Sequence, residues 1–266
     1  MKIPFTKAHG ARNDFLLTWR SEIPEGLKLP EAARAICDRH IGAGADGWLL
    51  LSPAANADVG IELYNSDGST SNLSGNGTRC AAVYMVENRR AGDTLKISTG
   101  AGLKELRVVS RNGHKFVFEM NMGKARIVEL RTKLPFGETS SDVTILDVGN
   151  PQCAVFVDNF DFDWRAQGAW VERHPKFPNR TNVSFIFPVD EHTLEVRFWE
   201  RGAGETMSSG TGSTGAAAAA LARGLVKSPV EVQTPAGPLM LRWDADDILL
   251  AGPAEIVAAG DFYLDA

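Results

Sequence analysis

Residues 200–215 read ERGAGETMSSGTGSTG and run straight into AAAAALARG at 216–224. Glycines at 202, 204, 210, 212 and 215 crowd the segment ahead of the alanine run. The pattern predicts a strand end, a tight glycine loop and the start of a helix. N–H groups in the first turn of a helix have no acceptor within it, and the macrodipole makes that end favour an anion. Glu200 and Arg201 stand just ahead of the loop, and the hydroxyls of Ser208, Ser209 and Thr211 lie in it. Taken alone, the stretch reads equally well as an ordinary capped helix with flexible glycines.

An echo earlier in the chain changes that balance. Residues 74–85 read SGNGTRCAAVYM and residues 209–220 read SGTGSTGAAAAA, a separation of 209 − 74 = 135 in a chain of 266. At the same separation Tyr64-Asn65 falls against Trp199-Glu200. This is the signature of an internal duplication, two similar units each offering a glycine-rich helix N-terminus. Two such termini facing one another would pin a carboxylate and place one side chain on each side of it.

Composition sets outer bounds. A hydrophobic content of 44% and a charged content of 23% suit a globular chain with a sizeable core. The net charge of −5 and pI near 5.6 argue against nucleic acid or an acidic membrane as partner. No segment approaches the roughly 20 apolar residues of a membrane span, and the N-terminus lacks the apolar region of a signal peptide. Cys37, Cys80 and Cys153 are odd in number and widely spaced. They suit a reduced, cytoplasmic interior better than a disulfide framework. No Cys or His cluster has metal-ligand spacing, so neither metal nor cofactor is expected.

In chain order, residues 2–8 and 15–19 read as a hairpin bent at HGARNDF, with Asn13 and Asn-Asp turn chemistry near the bend. A helix is expected over Glu31–Arg39, entered at Leu29-Pro30, then the loop IGAGADG and a buried strand at 48–52. His40 beside that loop reads as a structural histidine. Strands are expected at 60–65, 94–99, 103–109 and 115–122, with a helix over 78–90. The polar stretch 123–142 reads as the crossing between the two units. Beyond it, two strands flank a turn at Asn150-Pro151, a helix covers 163–174, and strands at 179–189 and 193–200 carry Asn182 and Glu200. Strands broken by Gly-Pro turns fill 230–264.

With these segments in place, the chain resembles the diaminopimelate epimerase family over essentially its whole length. The matching blocks are HGARNDF (9–15), CDRHIGAGADG (37–47), YNSDGSTSNLSGNGTRC (64–80), VGNPQC (148–153), RTNVSF (180–185) and ERGAGETMSSGTG (200–212). The resemblance implies an α/β (α+β) fold of two pseudo-symmetric domains. Each is a curved mixed β-sheet around a central helix, with the ligand in the cleft between them. One domain would be residues 1–120 plus 253–266, the last strand returning to the first domain, and the other 121–252. It implies cofactor-independent inversion at the α-carbon of an amino acid, of the LL- to meso-diaminopimelate type, by two thiols acting on opposite faces. Carried over by position, Asn13, Asn65, Asn150, Asn182, Glu200 and Arg201 would contact the substrate, with backbone at Gly75-Asn76 and Gly210-Thr211. A homodimer is compatible with the resemblance.

The resemblance fails at the acid–base pair. The family's two cysteines fall at positions 74 and 209, and both are serine here. A thiol is readily tuned to a thiolate at a helix N-terminus, whereas a serine hydroxyl needs an adjacent base. Gln152 replaces a histidine usual after Asn-Pro and cannot accept a proton, and Arg12 replaces a common glycine. Three readings follow. One is a diverged enzyme that kept the carboxylate-binding frame, either a weakened epimerase or a dehydratase or double-bond isomerase acting on a small carboxylic acid with Glu200, Asp67 or His40 as base. Another is an engineered Cys-to-Ser variant, which leaves Gln152 and Arg12 unexplained. The third is a non-catalytic amino-acid binder.

Overall fold

A computed structural model describes residues 1–136 and 139–264. The chain divides into two compact units, Met1–Met120 with the C-terminal stretch from Gly252, and Asn121–Ala251.

In the first unit, β1 (Lys2–Gly10) and β2 (Asn13–Trp19) form an antiparallel hairpin closed by Ala11 and Arg12. Both turn residues have positive φ, 50° and 61°, the conformation a two-residue hairpin loop demands and one that favours glycine or asparagine. The first helix, α1 (Leu29–Cys37), stops two residues before the expected Arg39. There the Asp38 carboxylate takes the N–H groups of His40 and Ile41 and ends the helical ladder. Next come β3 (Gly47–Ala54), β4 (Ala57–Asn65), the two-residue β5 (Thr70–Ser71) and α2 (Gly75–Glu87). The unit continues with β6 (Thr94–Thr99), β7 (Gly102–Asn112) and β8 (Lys115–Gly123). Its sheet is mixed: β2–β3 and β4–β6 are parallel, while β3–β4, β4–β5, β6–β7 and β7–β8 are antiparallel.

The second unit repeats the plan. Its elements are β9 (Arg126–Phe136), β10 (Thr139–Asp147), β11 (Pro151–Phe156), α3 (Trp164–Glu172), β12 (Asn182–Asp190) and β13 (Thr193–Glu200). They are followed by β14 (Gly204–Thr206), α4 (Gly210–Ala222), β15 (Val230–Thr234), β16 (Gly237–Asp244) and β17 (Asp247–Tyr263). The pairings β11–β12 and β13–β15 are parallel; β12–β13, β13–β14, β15–β16 and β16–β17 are antiparallel, strand for strand as before. The helices match in length and offset, 210 − 75 = 135 and 222 − 87 = 135.

Two sequence expectations need correction. Residues 123–142, expected as a polar crossing, carry β9 and the start of β10. In their pairing Glu129 faces Ile145 and Thr132 faces Val143, so two residues oppose one, and this bulge interrupts the alternation that would announce a strand. Residues 137 and 138 of that stretch lie outside the described residues. Likewise Gly252-Pro253 breaks nothing: β17 runs through it, pairing with β16 up to Ala251 and with β1 from Glu255 onward.

Each central helix is buried on nearly every side. In α4, Ala216–Ala220 lie among Ile186, Val196, Phe198, Val232, Leu239 and Leu250. A helix apolar all round belongs inside a core rather than on a surface. The sheet comes close at the start of this helix: a β-carbon added at Gly212 would stand 2.7 Å from Phe198 Cδ1.

Candidate active site

The two glycine loops build the same cap. Ser74 has φ/ψ of −130°/119° and its Oγ accepts the Gly77 N–H at 3.0 Å. Ser209 has −135°/122° and its Oγ accepts the Gly212 N–H at 3.1 Å. Each serine is the N-cap of its helix, a role worth about 1 kcal/mol over alanine. Gly75 and Gly210 open the two helices, so each serine hydroxyl stands at the positive end of a thirteen-residue dipole.

The second hydrogen bond differs. The Ser209 hydroxyl donates to Glu200 Oε1. The strand β13 delivers Glu200 to this point, and β14 folds back on β13, with Glu200 paired to Gly204, so that the chain returns to Ser209. The sequence predicts only a loop here, and the structure adds the short strand β14. Burial raises the Glu200 carboxyl above its ordinary value, and the Ser209 hydrogen bond offsets that in part. Asn65 occupies the corresponding end of β4. Its Nδ2 donates to Ser69 Oγ at 2.9 Å, inside the turn that leads to β5.

Other candidates assemble within each unit. Asn76 Nδ2 donates to Asn13 Oδ1 at 3.2 Å, and Asn13 Nδ2 donates to Asp46 Oδ2 at 2.7 Å. In the second unit Asn150 Nδ2 donates to Thr211 Oγ1 at 3.3 Å. Gln152 Nε2 donates to Asn150 Oδ1 at 2.7 Å, so Gln152 orients Asn150, and it packs against Gly215. Asn182 Oδ1 accepts the Arg201 N–H at 3.0 Å, while the exposed Arg201 side chain donates to Asn179 O. Asp67 and His40, the other candidate bases, are turn residues. Hydrogen bonds from the Ser69 hydroxyl and N–H hold the Asp67 carboxyl below its usual range, and His40 is exposed.

Three contributors escaped the sequence reading. Arg79 is fully buried, donating through Nη2 to Asn76 Oδ1 and through Nε to Pro253 O at 3.2 Å. Burial lowers its guanidinium to about 10. The signal was a charged residue set in an otherwise apolar helix. Glu172 ends α3, where the dipole disfavours a carboxylate. It is buried, and it accepts Trp199 Nε1–H and the Gly202 N–H, both at 3.0 Å, anchoring the bend after β13. Asp14 is the third: burial alone would raise its carboxyl, but hydrogen bonds from Arg39 and Lys7 outweigh it and hold it at about 2. No sequence motif announces that pairing across 25 residues.

None of the cysteines replaces the missing thiols. Cys37, Cys80 and Cys153 are free and buried. Burial pushes Cys37 up to about 12 and the other two higher still. Among the described residues no His, Cys, Asp and Glu group is placed to hold a metal ion, and no helix is long and apolar enough to cross a membrane.

Comparison with known proteins decides the family. The sequence profile described as diaminopimelate epimerase matches residues 5–128 and 144–257. This chain belongs to the diaminopimelate epimerase family. The isomerase class expected from its sequence follows from that membership. It is 36% identical to diaminopimelate epimerase of Pelotomaculum thermopropionicum, over 97% of this chain and 98% of that protein. It is 39% identical to that of Archaeoglobus fulgidus, over 100% and 98%. The fold is shared with more distant proteins. A hydroxyproline epimerase from Agrobacterium vitis superposes with a TM-score of 0.76 at 16% identity, covering 100% of this chain and 93% of that one. A PhzF-family phenazine biosynthesis protein of Bacillus anthracis does so at 0.77 and 14%, covering 99% and 100%. The expected α+β epimerase-type fold is therefore the one this family member adopts.

Proposed function

We propose that this chain removes and returns the α-proton of a diaminopimelate-type amino acid without a cofactor, with Ser74 and Ser209 at the two proton-handling positions. The observation that carries the reading is the hydrogen bond from Ser209 to the half-buried Glu200 at the N-terminus of α4. A serine oxygen accepts a proton only as it gives its own to a base, and Glu200 is that base. Its raised carboxyl is closer to neutrality than an exposed glutamate, which improves the match for general-base work. The charge that builds on the substrate carboxylate as the α-proton leaves is of the kind that N–H groups at a helix start, as at α4, stabilise. The candidate polar contacts are Asn150, Asn182 and Arg201 in the second unit, and Asn13, Asn65 and Asn76 in the first. A weaker acid than cysteine at both positions makes turnover slow.

For the double-bond isomerase reading there is a distant fold relative, a methylitaconate-delta-isomerase at 16% identity, which shares architecture alone. The test uses the native protein and a Ser74→Cys/Ser209→Cys variant. Calorimetry should find meso-diaminopimelate bound by both, and chromatography should find the variant interconverting the LL and meso forms. A double variant that folds but neither binds nor interconverts them overturns the reading.

A further inference from the structure

We infer that proton handling in this chain is one-sided: Ser209 with Glu200 exchanges the α-proton of one configuration with solvent and returns it to the same face, faster than the centre is inverted. The inference rests on the function proposed above and adds to it an activity, hydrogen exchange with retention.

The duplication itself supplies the argument. At an offset of 200 − 65 = 135, the glutamate at the end of β13 corresponds to an asparagine at the end of β4. Glu200 accepts a hydrogen bond from its serine and can take a proton. Asn65 cannot take a proton, and its amide nitrogen donates to Ser69 Oγ. The hydrogen bond recorded for the Ser74 hydroxyl is the one it accepts from Gly77. Two titratable groups of that unit are already engaged or enclosed. Asp14 is held by Arg39 and Lys7, and the Cys80 thiol is fully buried.

The proton balance follows. In the forward step the C–H electron pair stays on the substrate, spread into its carboxylate. The α-proton passes to Ser209 Oγ as that oxygen's own proton passes to Glu200. In the return step Glu200 gives a proton back through Ser209 to the face it left. If that proton has exchanged with water, the amino acid is labelled and its configuration kept. Inversion instead requires Ser74 to surrender its hydroxyl proton and remain as an alkoxide beside the Gly77 N–H, with an amide at the end of β4 where β13 ends in a carboxylate.

The experiment incubates the native protein with LL- and meso-diaminopimelate in deuterium oxide, reading α-proton loss by NMR and configuration by chiral chromatography. Deuterium should enter one centre about tenfold or more faster than that centre inverts. Glu200→Gln should lower uptake about 10²-fold or more, the usual reach of a general base. Asn65→Glu, which installs the missing carboxylate, should raise inversion relative to uptake; a gain of this kind does not arise from misfolding. Uptake matched one for one by inversion overturns one-sidedness while leaving the proposed function standing. No uptake at any centre overturns both.

Discussion

A thiol introduced at each serine in turn would report the local field directly. At position 74 a Ser74→Cys thiol sits at the α2 N-terminus within reach of the Gly77 N–H. A helix N-terminus favours an anion by about 0.3–1 kcal/mol, rising to about 2 when partly buried. At about 1.36 kcal/mol per pKa unit, that carries a thiol from about 8.5 down to roughly 7–8. At position 209 the same dipole acts, but Glu200 is already in hydrogen-bond contact with the side chain. Two like unit charges about 4 Å apart repel by about 4 kcal/mol at an effective dielectric of about 20, or about three units. The Ser209→Cys thiol should therefore titrate about two to three units above its counterpart, coupled to Glu200 as one system. The assay is thiolate ultraviolet absorbance against pH. The three native thiols are buried and shifted far upward, so they add no step of their own, and the native protein titrated in parallel supplies the tyrosine baseline. Adding Glu200→Gln to Ser209→Cys should close most of the gap. Equal titration of the two single variants, or the reverse order, would refute the asymmetry between the loops.

Three further predictions concern stability. Gly212→Ala should destabilise the protein by about 1–3 kcal/mol through overpacking, since the new β-carbon meets Phe198 at 2.7 and 2.9 Å. Gly77→Ala, whose nearest contact is 3.3 Å, should be milder, and urea unfolding of both compares them. Arg12→Gly should stabilise the hairpin by up to about 1 kcal/mol, because a left-handed conformation strains any residue with a β-carbon, and Arg12 holds φ at 61°; calorimetric melting checks it. Asp14 has a folded value of about 2 against an ordinary 3.8, so its stabilisation is full above about pH 4 and disappears as pH falls through 2. The native protein should outlast Asp14→Asn in neutral buffer, and the two should converge in acid titrations followed by circular dichroism.

What the sequence disclosed, it disclosed through local pattern. Glycines ahead of an alanine-containing run mark both caps, and a fixed offset marks the two helices as related. The family and its fold were readable from six ordered blocks. Contacts made at a distance were not. The bulge in β9 spoiled the alternation that marks a strand. The turn of β14 onto β13 rests on three residues, too few for a periodic signal. Nothing in the sequence around Glu172 announces its three donors, from Trp199, Gly202 and Arg180. The difference between Asn65 and Glu200 was visible as letters, but only the Ser209 hydrogen bond gave it chemical meaning.

The last strand carries a lesson for biosynthesis. Since β1 takes Glu255–Tyr263 as its antiparallel neighbour, a unit drawn mostly from Met1–Met120 waits for residues made after the whole of the second unit before its sheet is complete. A stop codon at Glu255 should therefore injure the first unit ahead of the second, leaving Lys2–His9 as an unpaired edge open to aggregation.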